Sequence, residues 1–163
     1  MQDFTFQQFD SASICVTGYR GDEAEVRIPD SFWGMPVCIL ADGLFSGHSE
    51  IVSVHIPDTV TEMGEFLFDG CSQLRRIRLP SSLEHLWGRS FVRSGLEELI
   101  LPDRLTTLPP FACEGCVYLQ KVVCGSGMKR ILNGAFAGCS SLTELIHGPN
   151  VEISPTAFQA ARA

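Results

Sequence analysis

Ile56–Pro80 reads IPDTVTEMGEFLFDGCSQLRRIRLP, opening on Ile-Pro and closing on Leu-Pro. Its apolar residues Val60, Met63, Phe66, Phe68, Leu74, Ile77 and Leu79 follow neither the 3.6-residue period of one helix nor the alternation of one strand. The stretch gains meaning because it recurs. Pro57, Pro80, Pro102, Gly125 and Gly148 fall at intervals of 23, 22, 23 and 23. A period in that range signals stacked repeats, and it takes precedence over other fold readings.

Outward from this stretch the slots line up coil by coil. Phe45, Phe68 and Phe91 share one slot, which Cys113, Phe136 and Phe158 hold later. Three residues on stand Cys71, Cys116 and Cys139, with His48 and Ser94 as variants. A Leu or Ile follows (Ile51, Leu74, Leu96, Leu119, Leu142), and then an alternating pair such as Ile77/Leu79 or Leu99/Leu101. The alternation predicts a short strand in each coil, with Ile77 and Leu79 inward and Arg76 and Arg78 outward. Val60–Met63 predicts a second short strand. The turn around Phe68, closed by Gly70, predicts a single helical turn, repeated at Gly115 and Gly138. In the coil of Cys113 the aromatic stands two places earlier, at Phe111, which is expected to supply the missing core volume.

Residues 1–23 fit the period poorly and are expected to form an N-terminal cap, with a strand from Ile14 to Tyr19. Residues 24–148 are read as repeats and 149–163 as a partial last repeat or cap, all within one domain of 163 residues. Six coils at a strand spacing of about 4.8 Å would make a body roughly 30 Å long.

These slots resemble the BspA-like leucine-rich repeats. The resemblance rests on the Ile/Leu-Pro punctuation, on Ala135-Phe136-Ala137-Gly138-Cys139 with its following Leu142, and on the opening Gly18–Gly21, Val26–Pro29 and Gly34–Val37. It covers residues 14–158. It implies a β-rich α/β fold: a right-handed solenoid of about six 22–23-residue coils. Parallel strands would line the concave face, with short second strands and single helical turns on the other side. It also implies a bacterial, non-enzymatic protein that binds other proteins, often at the cell surface or secreted.

Composition narrows the partners. Net charge is −7, from 19 acidic and 12 basic residues, a field that repels phosphate backbones and so argues against nucleic acid. No apolar run approaches a membrane span, and the first ten residues carry no basic and apolar leader, so the sequence reads as cytoplasmic. Seven cysteines, an odd number, fit reduced thiols. Cys113-Glu-Gly-Cys116 has the C-x-x-C spacing of a redox or zinc half-site, yet both cysteines sit in core slots and no second ligand pair exists, so a packing role is expected. The histidines His48, His55, His85 and His147 fall in different slots, and no nucleophile elbow or phosphate loop is present. The reading is therefore no enzyme, no metal and no cofactor.

The outward strand positions carry the variation. One row runs Arg27, His55, Arg78, Ile100, Val123, Ile146; its neighbour runs Glu25, Ser53, Arg76, Glu98, Lys121, Glu144. The first turns from basic to apolar, and contiguous outward apolar residues mark interfaces. The candidate binding face is thus Arg76, Arg78, Ile100, Val123 and Ile146, flanked by Glu98 and Lys121, and the expected ligand is a protein or peptide held by a monomer or weak homo-oligomer. The alternatives are a self-associating structural array or a piece of a longer surface protein, and less favoured a thiol redox or metal-binding protein.

Overall fold

The computed structural model describes residues 2–160. Its strands are β1 (Asp3–Gln8), β2 (Ile14–Arg20), β3 (Glu25–Arg27), β4 (Ser31–Phe32), β5 (Met35–Leu40), β6 (Ser53–His55) and β7 (Glu62–Met63). There follow β8 (His85–Leu86), β9 (Glu98–Ile100), β10 (Thr107–Leu108), β11 (Lys121–Val123), β12 (Arg130–Ile131), β13 (Glu144–Ile146) and β14 (Glu152–Ile153). Strands of two or three residues suffice because each coil is one rung and its stability comes from the rungs above and below. The result is a β-solenoid of stacked turns.

Two ladders run along the stack. The front ladder, which the repeat pattern expects to line the concave face, consists of β3–β6 and β9–β11–β13 in parallel register. The back ladder consists of β2–β5–β7–β8 and β10–β12–β14. At its start an antiparallel hairpin, β1 on β2, lays the non-repeating segment against the first coil. The long first coil is explained by a second hairpin: β4 folds antiparallel on β5 through Trp33 and Gly34, at φ 52° and 75°. Two successive left-handed residues make the tight turn that matches strand twist.

Between the ladders lies the core. Phe45, Phe68 and Phe91 are buried and stack with centroids 5.6 Å apart at each step. At Cys113 the column loses its aromatic, and it resumes with Phe136 against Phe158 at 5.5 Å. Phe111 does not refill it. Its ring lies instead over Gly134, where an added Cβ would come 2.1 Å from the ring. Leu142, Leu145 and Ile153 are only partly buried, so the core thins toward the last coils.

The expected single helical turns do not form; among the described residues there is no helix. The turns instead hydrogen-bond from coil to coil. The amide of Phe45 donates to Leu67, Phe68 to Ser90, Phe91 to Ala112, Cys113 to Ala135 and Phe136 to Ala157, at 2.8–3.0 Å. That third row of intercoil bonds replaces the i→i−4 bonds a helix would need. Left-handed residues make it possible, at Gly43, Phe66, Arg89, Phe111 and Gly134 in one row and Gly47, Gly70, Arg93, Gly115 and Gly138 in the next. The cysteine slot also gains a reason. The S–H of Cys71 donates to the Phe45 carbonyl, Cys116 to Phe91 and Cys139 to Cys113, at 2.9–3.2 Å.

Both ladders are interrupted. The back ladder parts between β8 and β10 because Pro109 stands where the other coils place a donor, as Gly64, Trp87, Leu132 and Ser154 do. The front ladder parts at Arg76–Arg78, where the strand expected from the repeat does not form. One side of this gap coincides with the only shortened turn. Phe91 and Leu96 are five residues apart, whereas Phe68–Leu74 and Phe136–Leu142 are six. Gly95 is drawn so close that an added Cβ would lie 2.1 Å from the Ser72 carbonyl.

Candidate functional site

The gap lies at the predicted arginines. Apart from the Arg75 carbonyl, which accepts from the Glu97 amide at 2.9 Å, no backbone group of Arg75–Leu79 is hydrogen-bonded within the described residues. In the neighbouring coils the ladder is intact: Ile28 donates to His55 at 3.1 Å, Leu101 to Val123 at 2.8 Å and Cys124 to Ile146 at 2.8 Å. A cleft of about 320 Å³ opens there, between Ser53 and Val54 on one side and Glu98 and Ile100 on the other, with Arg76 and Arg78 on its floor. A second depression, of about 460 Å³, continues from Arg78 past Ile100 to Asp103.

The two arginines differ. Arg78 is fixed by Asp58, its Nη1 and Nη2 donating to the two carboxylate oxygens at 3.3 and 3.1 Å. Asp58 also accepts from the Ser81 amide at 3.0 Å. The Arg78 and Ser81 hydrogen bonds hold the Asp58 carboxyl below the usual carboxylate range. Arg76 is exposed and has no ion pair among the described residues, although Glu98 occupies the same row one coil on.

Beyond the gap the apolar residues come together as the sequence places them. Val123 lies opposite Ile100 on one side and Ile146 on the other. Ile100 is 58% and Ile146 48% exposed, while Val123 is half-buried between them. Lys121 is registered against both Glu98 and Glu144, yet no ion pair joins them among the described residues. The alternating charges are strand neighbours without direct contact.

Cys113 and Cys116 are fully buried, and Cys113 is pushed well up by its contact with Cys116 and by burial. Burial pushes the Cys71 and Cys139 thiols up to about 12. All seven cysteines are free. Cys116 alone shifts down, held there by hydrogen bonds from Cys113 and Ser94, but it is fully buried, and a reactive thiol needs exposure as well as a lowered pKa.

One surface was missed by strand-slot reasoning. Phe66, Arg89 and Phe111, in consecutive coils, are left-handed at φ 54–57° in the row that Gly43 and Gly134 begin and end. The Arg89 guanidinium lies 5.8 Å from the Phe66 centroid and 4.7 Å from that of Phe111. Trp87, half exposed, donates its Nε1–H to Glu62 at 2.7 Å. The signal was legible: a slot two residues before each Phe slot, holding Gly at both ends and large residues between.

The pattern of the BspA type leucine-rich repeat region matches six copies across residues 39–162. The chain belongs to the BspA-type leucine-rich repeat family. Among solved structures, this family member is similar to the T. pallidum leucine-rich repeat protein TpLRR, at 28% identity and a TM-score of 0.73 over 92% of this chain and 82% of that one. A leucine-rich repeat protein of Bacteroides ovatus shares the fold at 23% identity and a TM-score of 0.71, over 98% of this chain and 50% of that one. So does a leucine-rich cell surface protein of Faecalibacterium prausnitzii, at 20% identity and 0.64, over 89% and 54%. The chain thus spans about half the length of the last two. No curated protein matches it. No helix of the described residues is long and apolar enough to cross a membrane.

Proposed function

We propose that this family member is a non-enzymatic binding module that holds a protein or peptide on its front strand face. The observation that carries this reading is the outward stripe Ile100–Val123–Ile146, in parallel register and adjoining the cleft at Arg76 and Arg78. Apolar side chains on a solvated strand face gain from being covered, at about 25 cal/mol per Å² removed from water. Charged neighbours such as Glu98 and Lys121 would then orient the partner rather than supply most of the affinity.

The test is Val123→Glu in affinity capture from the source organism. Loss of specific partners, with the melting temperature within about 3 °C of the parent, supports the reading, since an outward, half-exposed position can turn a charge to solvent. Unchanged capture removes it. A large fall in melting temperature also removes it, because Val123 would then belong to the core.

A second reading, self-association, is favoured by the outer edge of β13, which pairs with no strand among the described residues, and by Phe158, 54% exposed against the Phe136 ring. Light scattering across concentration separates the two, a strict monomer excluding assembly.

A further inference from the structure

We propose that the gap in the front ladder is a carboxylate subsite, and that the segment bound there is an extended peptide carrying one acidic residue. This rests on the front face being the binding face. Within that face, the unsatisfied groups are concentrated in one coil. Buried or half-buried backbone amides are nearly always paired, and an unpaired run calls for a partner. Here the amides of Arg76, Ile77, Arg78 and Leu79 donate to nothing within the described residues, although Ile77 is half-buried and Leu79 buried.

Arg76 adds a guanidinium with no acceptor among the described residues, and its planar fork matches a carboxylate bidentately. Arg78 is held in place by Asp58 and adds a second cation on the same floor. The carboxylate in the cleft, Glu98, pairs with neither arginine. Two cations thus line the cleft beside one carboxylate, and the Arg76 guanidinium has no partner among the described residues. A basic ligand would add donors and meet Arg76 head on; an acidic one supplies what is missing.

The apolar stripe sets the spacing. From the coil of Arg76 and Arg78 past Ile100 and Val123 to Ile146 are three intercoil steps, roughly 14 Å at about 4.8 Å each. An extended chain covers that in about four residues at 3.3–3.4 Å per residue. The recognised pattern is thus an acidic residue with apolar residues two and four places away on the same side.

The experiment selects random 12-residue peptides, displayed on phage, against the immobilised full chain, with Arg76→Glu and Val123→Glu as counter-targets. The expected result is enrichment of sequences with one Asp or Glu spaced two and four residues from apolar residues. Binding of a synthesised winner should fall about tenfold or more on Arg76→Glu, the loss of one charge-assisted pair, and fall again as salt rises. Arg76→Lys should recover part of it. Because Arg76 is exposed, unchanged thermal melting is the control for folding. Enriched peptides without an acid, sensitive to Val123→Glu but not to Arg76→Glu, overturn the subsite and leave the front face standing. Enrichment insensitive to both substitutions, or none above the bare support, overturns both. Binding of a second copy of this chain to the cleft, lost on Arg76→Glu, also overturns the peptide assignment.

Discussion

The coil of Arg75–Leu79 and that of Gln120–Cys124 fill the same slots, yet one stands off the ladder and the other is bonded on both sides. Leu74 and Leu119 are equally buried, and Cys71 and Cys116 hold the same place with the same S–H bond. Val122 pairs with Leu99 and Leu145, whereas Ile77 pairs with no strand among the described residues. Side-chain slots thus secure a coil's place in the core without securing its backbone on the ladder. The ladder answers to turn length and to where a proline falls, as Pro109 shows on the opposite side. A repeat can be regular in what it buries and irregular in what it leaves free for a ligand.

The largest expected effect tests the shared part. Phe68→Ala removes the middle of the Phe45–Phe68–Phe91 stack and should cost about 3–5 kcal/mol in denaturant unfolding, damaging both coils alike. Phe158→Ala, at an exposed position, should cost much less. If the two cost the same, the core is not the common element of the comparison.

Next come the left-handed turns. Gly134→Ala at φ +65° must also displace the Phe111 ring and should cost about 2–4 kcal/mol. Gly47→Ala at φ +82° meets no neighbouring atom and should cost about 1–2 kcal/mol, the backbone term alone. Equal losses would show that Phe111 yields freely.

Hydrogen exchange addresses the difference directly. The amides of Arg76, Ile77 and Arg78 should exchange on the order of 100-fold faster than those of Val122 and Val123, because no ladder bond must open first. Equal protection would close the gap and remove the basis for the subsite.

The smallest effect is on pH. The Cys71 thiol, pushed up to about 12 from 9.0 by burial, binds its proton more tightly folded than unfolded. Its contribution is therefore complete below pH 9 and is lost as pH rises from 9 toward 12. Cys71→Ser, whose hydroxyl does not titrate there, should flatten that part of the stability profile. An unaltered profile would mean the thiol is not held neutral by its burial.

Much of this was legible in the primary structure. The 22–23-residue interval, the Phe and Cys slots and the outward rows all follow from local spacing, since each coil buries the same positions against its copies. The residues of the candidate face, from Arg76 to Ile146, could be named on that basis. Less legible were the turns. The Gly70 and Gly138 closures look helical in isolation, but six-residue turns flanked by turns of the same shape satisfy amides between coils instead of within them.

The sequence by itself determined the repeat, the contents of its core and the fact that Arg78 shares a row with Ile100, Val123 and Ile146. Only the tertiary structure decided that Arg76–Arg78 leaves the ladder, that Asp58 takes Arg78 and leaves Arg76 unpaired, and that Phe111 turns outward to lie over Gly134. The physical reason is the same in each case. A slot is fixed by one coil's own hydrophobic spacing, whereas a ladder bond or an ion pair needs two coils, about 23 residues apart, to arrive at the same height.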